Sequence, residues 1–296
     1  MCKPICRVTV RVPATSANLG PGFDTLGMAF ALYNTYTFEL AEKTEVLGCE
    51  ARFCTENNLA LVAFRAACDA ADVVPPPVRL TVHSDVPVSR GLGSSATMLV
   101  GGVVGACRLL SLPLDAQAMF AIVNRLEGHP DNVAPALFGG LTAAMQENGI
   151  PYVARHTVHP SYRFCALIPD FETSTKKARA ALPKEVPFAD AVYNVTHATT
   201  LLSALINGDH ALLTASLRDV LHQPYRSALI HEYEDIRSMA EQAGAIGFFI
   251  SGSGSTLMTV YTDDKYIARM QASVQTLSCA WRVLPLLPDM DGACVI

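Results

Sequence analysis

Residues 87–96, PVSRGLGSSA, connect a predicted strand to a predicted helix. Apolar and polar residues alternate over residues 78–82, which is typical of a half-buried strand, and residues 96–110 follow as an apolar helix. A helix N-terminus presents free backbone N–H groups and a partial positive charge, and glycines let phosphate oxygens approach the backbone. The segment therefore suits a polyphosphate, although taken alone it equally indicates a tight turn capped by Ser94 or Ser95.

This segment differs from two common phosphate-binding motifs. It does not end in the Gly-Lys-Ser/Thr of a P-loop, and Ala96 stands where a dinucleotide-binding fingerprint has its third glycine. A phosphate site here would belong to another class of nucleotide-binding protein.

A second segment with ligand-binding character lies near the N-terminus. Residues 6–12 alternate as a strand, Pro13 interrupts it, and residues 14–27, ATSANLGPGFDTLG, are predicted to form a loop. Asn18 and Asp24 lie on this Gly/Pro scaffold and have polar groups that orient small substrates. Asn and Asp also build turns that have no function, so the loop alone favours a structural interpretation.

A third segment, SGSGST at residues 251–256, follows a short predicted strand at residues 248–250. Its glycines fit either a hairpin turn or a loop that lies against the phosphates of a ligand. Taken alone, it predicts a hairpin turn.

Both halves of the chain mix helices with alternating strands, which predicts an α+β fold with sheets covered on one face. The turn cluster QENGIP at residues 146–151 lies at the midpoint, so we expect one domain over residues 1–150 and a second over residues 151–296. Further strands are predicted over residues 33–40 and 164–168, and further helices over residues 58–71, 115–127, 197–207 and 232–243.

The composition excludes several classes of protein. The chain has 296 residues, half of them apolar, with 22 Lys plus Arg against 27 Asp plus Glu and a net charge of -5. It is globular, and without a basic run no nucleic-acid partner is expected. Residues 91–107 are the best candidate for a membrane span, but they carry five glycines and fall short of the length that a span needs. We therefore expect a buried helix there and no membrane partner.

The N-terminal and cysteine patterns favour a cytoplasmic location. The opening residues MCKPICRVTV lack the apolar core and small-residue cleavage site of a secretory signal. The 9 cysteines are odd in number and form no C-x-x-C pair, which argues against a disulfide framework or a zinc site.

In combination, the three loop segments resemble the three signature segments of the GHMP small-molecule kinases in composition, order and spacing. Residues 127–140, EGHPDNVAPALFGG, residues 173–183, TSTKKARAALP, and residues 222–226, HQPYR, resemble the homoserine kinase branch. The resemblance spans nearly the whole chain. It implies a two-domain α+β fold, with an N-terminal ATP-binding domain related to a ribosomal-protein fold, a C-terminal ferredoxin-like domain and the active site between them.

The resemblance also implies an activity. A homoserine kinase transfers the γ-phosphate of ATP, with Mg²⁺, to the hydroxyl of L-homoserine and forms O-phospho-L-homoserine in threonine biosynthesis. Members of the family are often homodimers. Two alternatives stay open: another GHMP kinase that acts on threonine, a diphosphorylated alcohol or a sugar, and an inactive member that binds metabolites.

Family motifs carried onto this sequence imply roles for individual residues. Ser95 and Glu127 would hold Mg²⁺, which prefers hard oxygen ligands. The catalytic group would comprise Asn18, Glu127, Asn132 and Arg179. The residues that bind ATP would be Asn58 at the adenine and, around the phosphates, Pro87, Ser89, Arg90, Gly91, Leu92, Gly93, Ser94, Ser95, Gly252, Ser253 and Gly254.

Homoserine has a carboxylate, an ammonium group and a hydroxyl group, so its pocket needs both cations and anions. The resemblance implies that Arg179 and Arg226 grip the carboxylate, because a planar guanidinium forms bidentate hydrogen bonds. The same comparison places Asn18, Asp24, His129 and Asp131 around the amino and hydroxyl groups, and Thr175 at the phosphate end.

Two positions depart from the pattern of related kinases. Ser255 replaces the Pro of the family's SGSGPT, which relaxes a fixed φ without removing a backbone donor. Asn132 stands where relatives such as mevalonate kinases have an Asp base, and an Asn amide cannot accept a proton near neutral pH. The sequence therefore predicts phosphoryl transfer by positioning and charge stabilisation, with no side-chain base at residue 132, and Asp24, Asp131 and His129 stay open as alternative bases.

Overall fold

The computed structural model of the chain describes residues 6–296, which fold around two β-sheets. Residues 1–5, the first half of the MCKPICRVTV stretch that lacks the features of a secretory signal, lie outside the described residues. Within the described part, no disulfide joins the cysteines, and none of the helices combines the length and apolar character that crossing a bilayer requires.

The elements of the first half are β1 (Arg7–Ala17), β2 (Leu26–Leu40), β3 (Glu45–Leu47), α1 (Leu59–Ala70), β4 (Val78–Ser84), α2 (Ser94–Leu109), α3 (Ala116–Glu127), α4 (Pro130–Phe138) and β5 (Leu141–Glu147). The rest are β6 (Ile150–His156), β7 (Arg163–Pro169), α5 (Thr175–Ala180), α6 (Phe188–Asn207), α7 (His210–Ser216), α8 (Gln223–Arg226), α9 (Tyr233–Ala243), β8 (Gly247–Ile250), β9 (Leu257–Tyr261), α10 (Tyr266–Ser273), β10 (Trp281–Leu286) and β11 (Cys294–Val295).

The first sheet has the strand order β11-β1-β2-β4-β3, and the β5–β6 hairpin joins it along β2. Helices α1 to α4 cover one face and enclose an apolar core. Helix α2 lies very close to β2, because a Cβ on Gly101 or Gly105 would lie 2.4 Å from the ring of Tyr36 or Phe38, respectively. The prediction of a buried helix in the glycine-containing apolar stretch is therefore confirmed.

The second sheet, in the order β10-β7-β9-β8, is buried on both faces along β7. Phe164 and Ala166 pack against α6, whereas Cys165 and Leu167 pack against α9 and α10. The expectation of sheets covered on one face is wrong for this sheet. The uninterrupted apolar run from Phe164 to Ile168 is the sequence signal of a strand buried on both sides.

A shared core joins the two sheets. Met28 and Phe30 of β2 pack with Phe164 of β7, and the terminal strand β11 returns to pair with β1. The QENGIP cluster forms the turn between β5 and β6, and both strands belong to the first sheet. The chain passes to the second sheet only after His156, so the predicted boundary at residue 150 lies too early. The cluster forms a hairpin turn. The same residue types occur in hairpin turns and in linkers between domains, so the sequence alone did not distinguish the two.

The predicted loop over residues 14–27 is much shorter in the structure. Strand β1 continues through Ala17, and the pairing register with β2 shifts between Pro13 and Ala14. This irregularity absorbs the missing N–H group of Pro13, so the proline does not end the strand. Only residues 18–25 remain as a loop, and they leave the sheet beside the glycine-rich segments.

The other predicted elements are present, with some ends shifted. Helix α1 begins after Asn58 and α3 after Asp115, and each of these side chains accepts a backbone hydrogen bond as the N-cap. Helix α6 begins at Phe188, earlier than the predicted start at residue 197. The SGSGST segment joins the antiparallel strands β8 and β9, as the hairpin prediction requires.

Candidate active site

The three glycine-containing segments meet at one place between the two sheets. The backbone N–H of Thr15 donates to the carbonyl of Leu92 over 3.1 Å, and that of Gly252 donates to Ala17 over 3.1 Å. Ser251 Oγ donates to the carbonyl of Gly91 over 2.6 Å. These bonds fasten the end of β1, the start of α2 and the β8–β9 turn to one another.

A cleft of about 570 Å³ opens at this meeting point. We call it the central cleft. Its lining includes Asn18, Asp24, Ser89, Gly91, Gly93, Ser94, Ser95, Glu127, His129, Asp131, Asn132, Thr175, Arg179, Arg226, Gly252 and Ser253. Side chains predicted from six separate motifs therefore share one cavity.

The segment before α2 has the backbone of an anion-binding loop. Gly91 and Gly93 have φ values of 78° and 70°, in the left-handed region that favours glycine. Helix α2 begins immediately afterwards at Ser94, so its first backbone N–H groups lie at the cleft without partners inside the helix. Ser94 Oγ is buried and has no hydrogen-bond partner among the described residues. This set of donors suits the oxygens of a polyphosphate.

Ser95 and Glu127 form a pair of hard oxygen donors at the cleft. Ser95 Oγ donates a hydrogen bond of 2.7 Å to Glu127 Oε2, and Gly128, at φ 92°, ends α3 directly after the carboxylate. Burial raises the pKa of Glu127, and the hydrogen bond from Ser95 and the charges of His129 and Arg179 compensate only part of this cost. A divalent cation would supply the missing compensation, so these residues fit Mg²⁺.

The start of α4 holds a second group of polar side chains. His129 Nδ1 lies 2.6 Å from Asp131 Oδ1, and Asn132 donates to the same oxygen over 3.4 Å. Burial lowers the pKa of His129, but the hydrogen bond and charge of Asp131, together with the charges of Glu127 and Asp24, outweigh burial and raise the pKa above its ordinary value. Thr15 Oγ1 donates to Asn132 Oδ1 over 2.8 Å, which fixes the orientation of an amide that cannot act as a base near neutral pH.

Asp24 and Arg179 form a bidentate ion pair in the cleft. The two guanidinium nitrogens lie 2.8 and 3.1 Å from the two carboxylate oxygens. Asn18 holds Asp24 in place, because its Oδ1 accepts from the Asp24 backbone over 3.0 Å while its Nδ2 donates to the Gly252 carbonyl over 2.9 Å. The hydrogen bond to Asp24 raises the pKa of Arg179, so the guanidinium stays charged.

Arg226 also lines the cleft, and it is only 2% exposed. It donates to the carbonyls of Gly252 and Ala178 over 3.0 and 3.4 Å. Its guanidinium lies 5.0 Å from the centre of the Phe23 ring, and that of Arg179 lies 5.6 Å from the same ring. Burial lowers the pKa of Arg226, which indicates a cation without full compensation by its surroundings.

Some predicted residues have other environments. The guanidinium of Arg90 donates to the carbonyls of Pro169 and Asp170 over 3.1 and 2.9 Å, so it fastens the loop to the second sheet and does not face the cleft. Pro87, Leu92 and Gly254 are likewise absent from the cleft lining.

Asn58 lines the cleft, but its amide is already bonded. It donates to the carbonyl of Phe53 over 3.1 Å and accepts from the backbone of Ala60 over 2.9 Å. Its contact with adenine stays a prediction. Thr175 Oγ1 lies 3.2 Å from Ser253 Oγ, where α5 meets the β8–β9 turn.

A further group of residues lines the cleft and was not predicted from the sequence motifs. The residues concerned are Arg52, Phe53, Thr55, Asn57, Leu59 and Met98. The run RFCTENN just before α1 mixes an aromatic ring with amides and hydroxyls, and this mixture was the only signal in the sequence. Thr15, whose hydroxyl bonds the amide of Asn132, was not predicted as a site residue, because the sequence assigned it to a loop.

Comparisons with known proteins place the chain in one family. The model of the GHMP kinases N terminal domain matches residues 58–140, and that of the GHMP kinases C terminal domain matches residues 201–277. A homoserine kinase of Clostridium botulinum is 42% identical over 291 residues, which cover 97% of this chain and 98% of that protein. The chain belongs to the GHMP kinase family. The expected two-domain GHMP kinase fold is thereby confirmed.

Further relatives carry the same name. A homoserine kinase of Clostridium beijerinckii is 39% identical over 293 residues and covers 98% of each chain. The crystal structure of a homoserine kinase from Cytophaga hutchinsonii superimposes with a TM-score of 0.91 at 26% identity, over 100% of this chain and 99% of that one. The central cleft of this GHMP kinase is therefore the place to look for its substrates.

The His129–Asp131 pair predicts a pH dependence of stability. A histidine whose pKa is raised by folding stabilises the folded state at acidic pH, and this contribution is lost as the pH rises through the folded pKa. Asp131→Asn should therefore lower the pKa of His129 and cost more free energy of unfolding near about pH 6 than near about pH 9.

NMR titration of the imidazole signals, with the exposed His83 as internal reference, measures the first effect, and urea unfolding at the two pH values measures the second. An unchanged titration of His129, or an equal loss of stability at both pH values, would contradict the assigned interaction.

Proposed function

We propose that this GHMP kinase is a homoserine kinase, which transfers the γ-phosphate of ATP to the side-chain hydroxyl of L-homoserine and forms O-phospho-L-homoserine. Relatives that align over nearly the whole chain carry this name. The charges in the central cleft supply an independent argument for an amino-acid substrate.

The Asp24–Arg179 ion pair is the observation that carries this proposal. Asp24, His129 and Asp131 place ligand atoms within 4.8 Å of one another, and Arg179 and Arg226 lie beside them over the ring of Phe23. A zwitterionic amino acid can insert its carboxylate at the arginines and its ammonium at the carboxylates. The Asp24–Arg179 ion pair is then replaced by two ion pairs, one between the arginines and the substrate carboxylate and one between the carboxylates and the substrate ammonium group. A zwitterion adds no net charge to the site.

Ser95 and Glu127 would hold Mg²⁺, and the backbone of residues 91–95 would hold the phosphates of ATP. When bound, the metal neutralises charge that develops on the transferred phosphoryl group. Glu127 would be the anionic ligand of the metal, and the backbone N–H groups of the first turn of α2 would hold the phosphate oxygens.

The hydroxyl of the substrate would lose its proton without a base at residue 132. The amide of Asn132 accepts a hydrogen bond from Thr15 and donates to Asp131, so its role is to orient neighbouring groups. Phosphoryl transfer tolerates this arrangement, because bonding to the nucleophile is late in its loose transition state and the proton can pass to the transferred phosphate.

The wider roles belong to the same proposal. The product is an intermediate of threonine biosynthesis, and the enzyme would act in the cytoplasm, as the composition and cysteine pattern favour. The homodimer often found in the family stays a prediction for this chain.

A substrate panel tests the proposed function. ADP release should be efficient with L-homoserine and lower in kcat/KM by about 100-fold or more with 3-aminopropanol, which lacks the carboxylate, because each hydrogen bond lost to a charged group costs roughly 1.5–3 kcal/mol. Threonine, a diphosphorylated alcohol and a sugar represent the alternative acceptors. Equal kcat/KM for homoserine and 3-aminopropanol would contradict the role of the arginines, and no turnover with any alcohol would favour a metabolite-binding protein.

Replacement of the proposed metal ligand should separate activity from stability. Glu127→Gln should lower kcat by about 100-fold or more, since a neutral amide is a poor Mg²⁺ ligand and the metal supplies several kcal/mol of charge stabilisation. Burial raises the pKa of Glu127, so the ionised form weakens folding at neutral pH and the melting temperature of the variant should be equal or higher. Steady-state kinetics and calorimetry measure both effects.

Glu147→Gln, at an exposed position of β5, is the matched control and should change neither quantity. Wild-type kcat in Glu127→Gln would show that the metal has other ligands.

A further inference from the structure

His222 lies at the start of α8 and is completely buried. Its Nε2 lies 2.7 Å from the carbonyl oxygen of Gly20, an atom that only accepts, so Nε2 carries the proton and donates. Its Nδ1 lies 3.5 Å from Nη1 of Arg226, a group that only donates, so Nδ1 accepts. Both contacts require the same neutral tautomer, and burial supports it by lowering the pKa of His222.

The surroundings hold the imidazole ring in this orientation. Asp219 accepts hydrogen bonds from the backbone N–H groups of His222 and Gln223 over 3.0 and 2.6 Å, which fixes the start of α8. On the other side, the ring centre lies 5.1 Å from that of Phe23. Arg179 and Arg226 both overlie the ring of Phe23, so His222 packs against the ring on which these two arginines lie.

Arg226 is held by neutral acceptors. Its partners are the carbonyls of Gly252 and Ala178 and the imidazole of His222. No carboxylate of residues 6–296 lies within ion-pair distance of it, in contrast to Arg179, which is paired with Asp24. Its charge is therefore oriented by the protein but left for an anionic group of the ligand.

We propose that His222 is a positioning residue, which holds Arg226 and the 18–25 loop in the arrangement that binds the carboxylate of the amino-acid substrate. The imidazole bonds both parts at once, with one ring nitrogen on each. This inference rests on the proposed function, because it takes homoserine as the ligand of Arg226. It assigns His222 no contact with substrate and no proton-transfer step.

Three variants at residue 222 test this inference. His222→Leu removes both hydrogen bonds, His222→Phe removes them while keeping a ring, and His222→Gln keeps an amide that can donate to Gly20 and accept from Arg226. The exposed His83→Leu on β4 is the control. The KM values for homoserine and ATP, kcat and the melting temperature are measured for each protein.

The expected result is a split between the two substrates. The homoserine KM should rise by about tenfold or more in His222→Phe and His222→Leu, while the ATP KM should change by less than about twofold. His222→Gln should restore the homoserine KM to within about threefold of the wild type. A purely structural role would lower the melting temperature or the amount of active enzyme without changing one KM alone.

The outcomes distinguish the inference from the proposed function. If wild-type protein does not phosphorylate homoserine, both are overturned. If the wild type is active but folded His222→Phe or His222→Leu keeps the wild-type homoserine KM, or if both KM values rise equally, the inference alone is overturned. If neither folds, His222→Gln decides, because a folded variant whose homoserine KM lies more than about threefold above that of the wild type would contradict the positioning of Arg226 by these two hydrogen bonds.

Discussion

The close approach of three backbone segments at Gly91 and Gly93 is the constraint on which the rest of the site depends. A Cβ on Gly91 would lie 2.2 Å from the Ser251 carbonyl oxygen, and one on Gly93 would lie 1.9 Å from Thr15 Oγ1. With only hydrogens at these positions, β1 and the β8–β9 turn pack directly against the start of α2. The N-terminus of α2 therefore lies next to Asn18 and Gly252, which support the amino-acid side of the cleft.

The charges of the site are arranged around this junction. Glu127 has a raised pKa and Arg226 a lowered one, in each case because burial disfavours the ion more than its neighbours favour it. Each is thus an incompletely compensated charge, the first suited to a metal ion and the second to a carboxylate. Asp24 and Arg179 compensate each other and can exchange partners with a zwitterion. This combination supports the proposed amino-acid substrate over a sugar or an uncharged alcohol, either of which would leave Arg226 without a counter-charge.

The sequence could predict those parts of the site whose signal is local. The GLGSS run, with a strand before it and a helix after it, suited a phosphate loop, and the resemblance to GHMP kinases implied the pairing of Ser95 with Glu127, whose side chains the structure brings to 2.7 Å. Arg90 lies in the same run, yet it binds carbonyls of the second sheet. No local pattern distinguishes an arginine that binds phosphate from one that fastens a loop. The prediction that Pro13 ends the first strand was wrong for a similar reason. The register shift that accommodates this proline depends on the paired strand β2, which lies outside the local pattern.

Long-range contacts also explain why the role proposed for His222 was not visible from the sequence. The resemblance of the HQPYR segment to homoserine kinases indicated Arg226, but the partner of His222 is a backbone carbonyl at Gly20, in a loop of the first half of the chain. A backbone acceptor has no residue type that a motif can specify.

A structure of the protein with L-homoserine, Mg²⁺ and an unreactive ATP analogue tests the central claim most directly. The account predicts the triphosphate along residues 91–95, the metal at Ser95 and Glu127, and the homoserine carboxylate at Arg179 and Arg226 with its ammonium group toward Asp24 and Asp131. A nucleotide bound away from the start of α2, or a homoserine whose carboxylate does not contact Arg226, would contradict it.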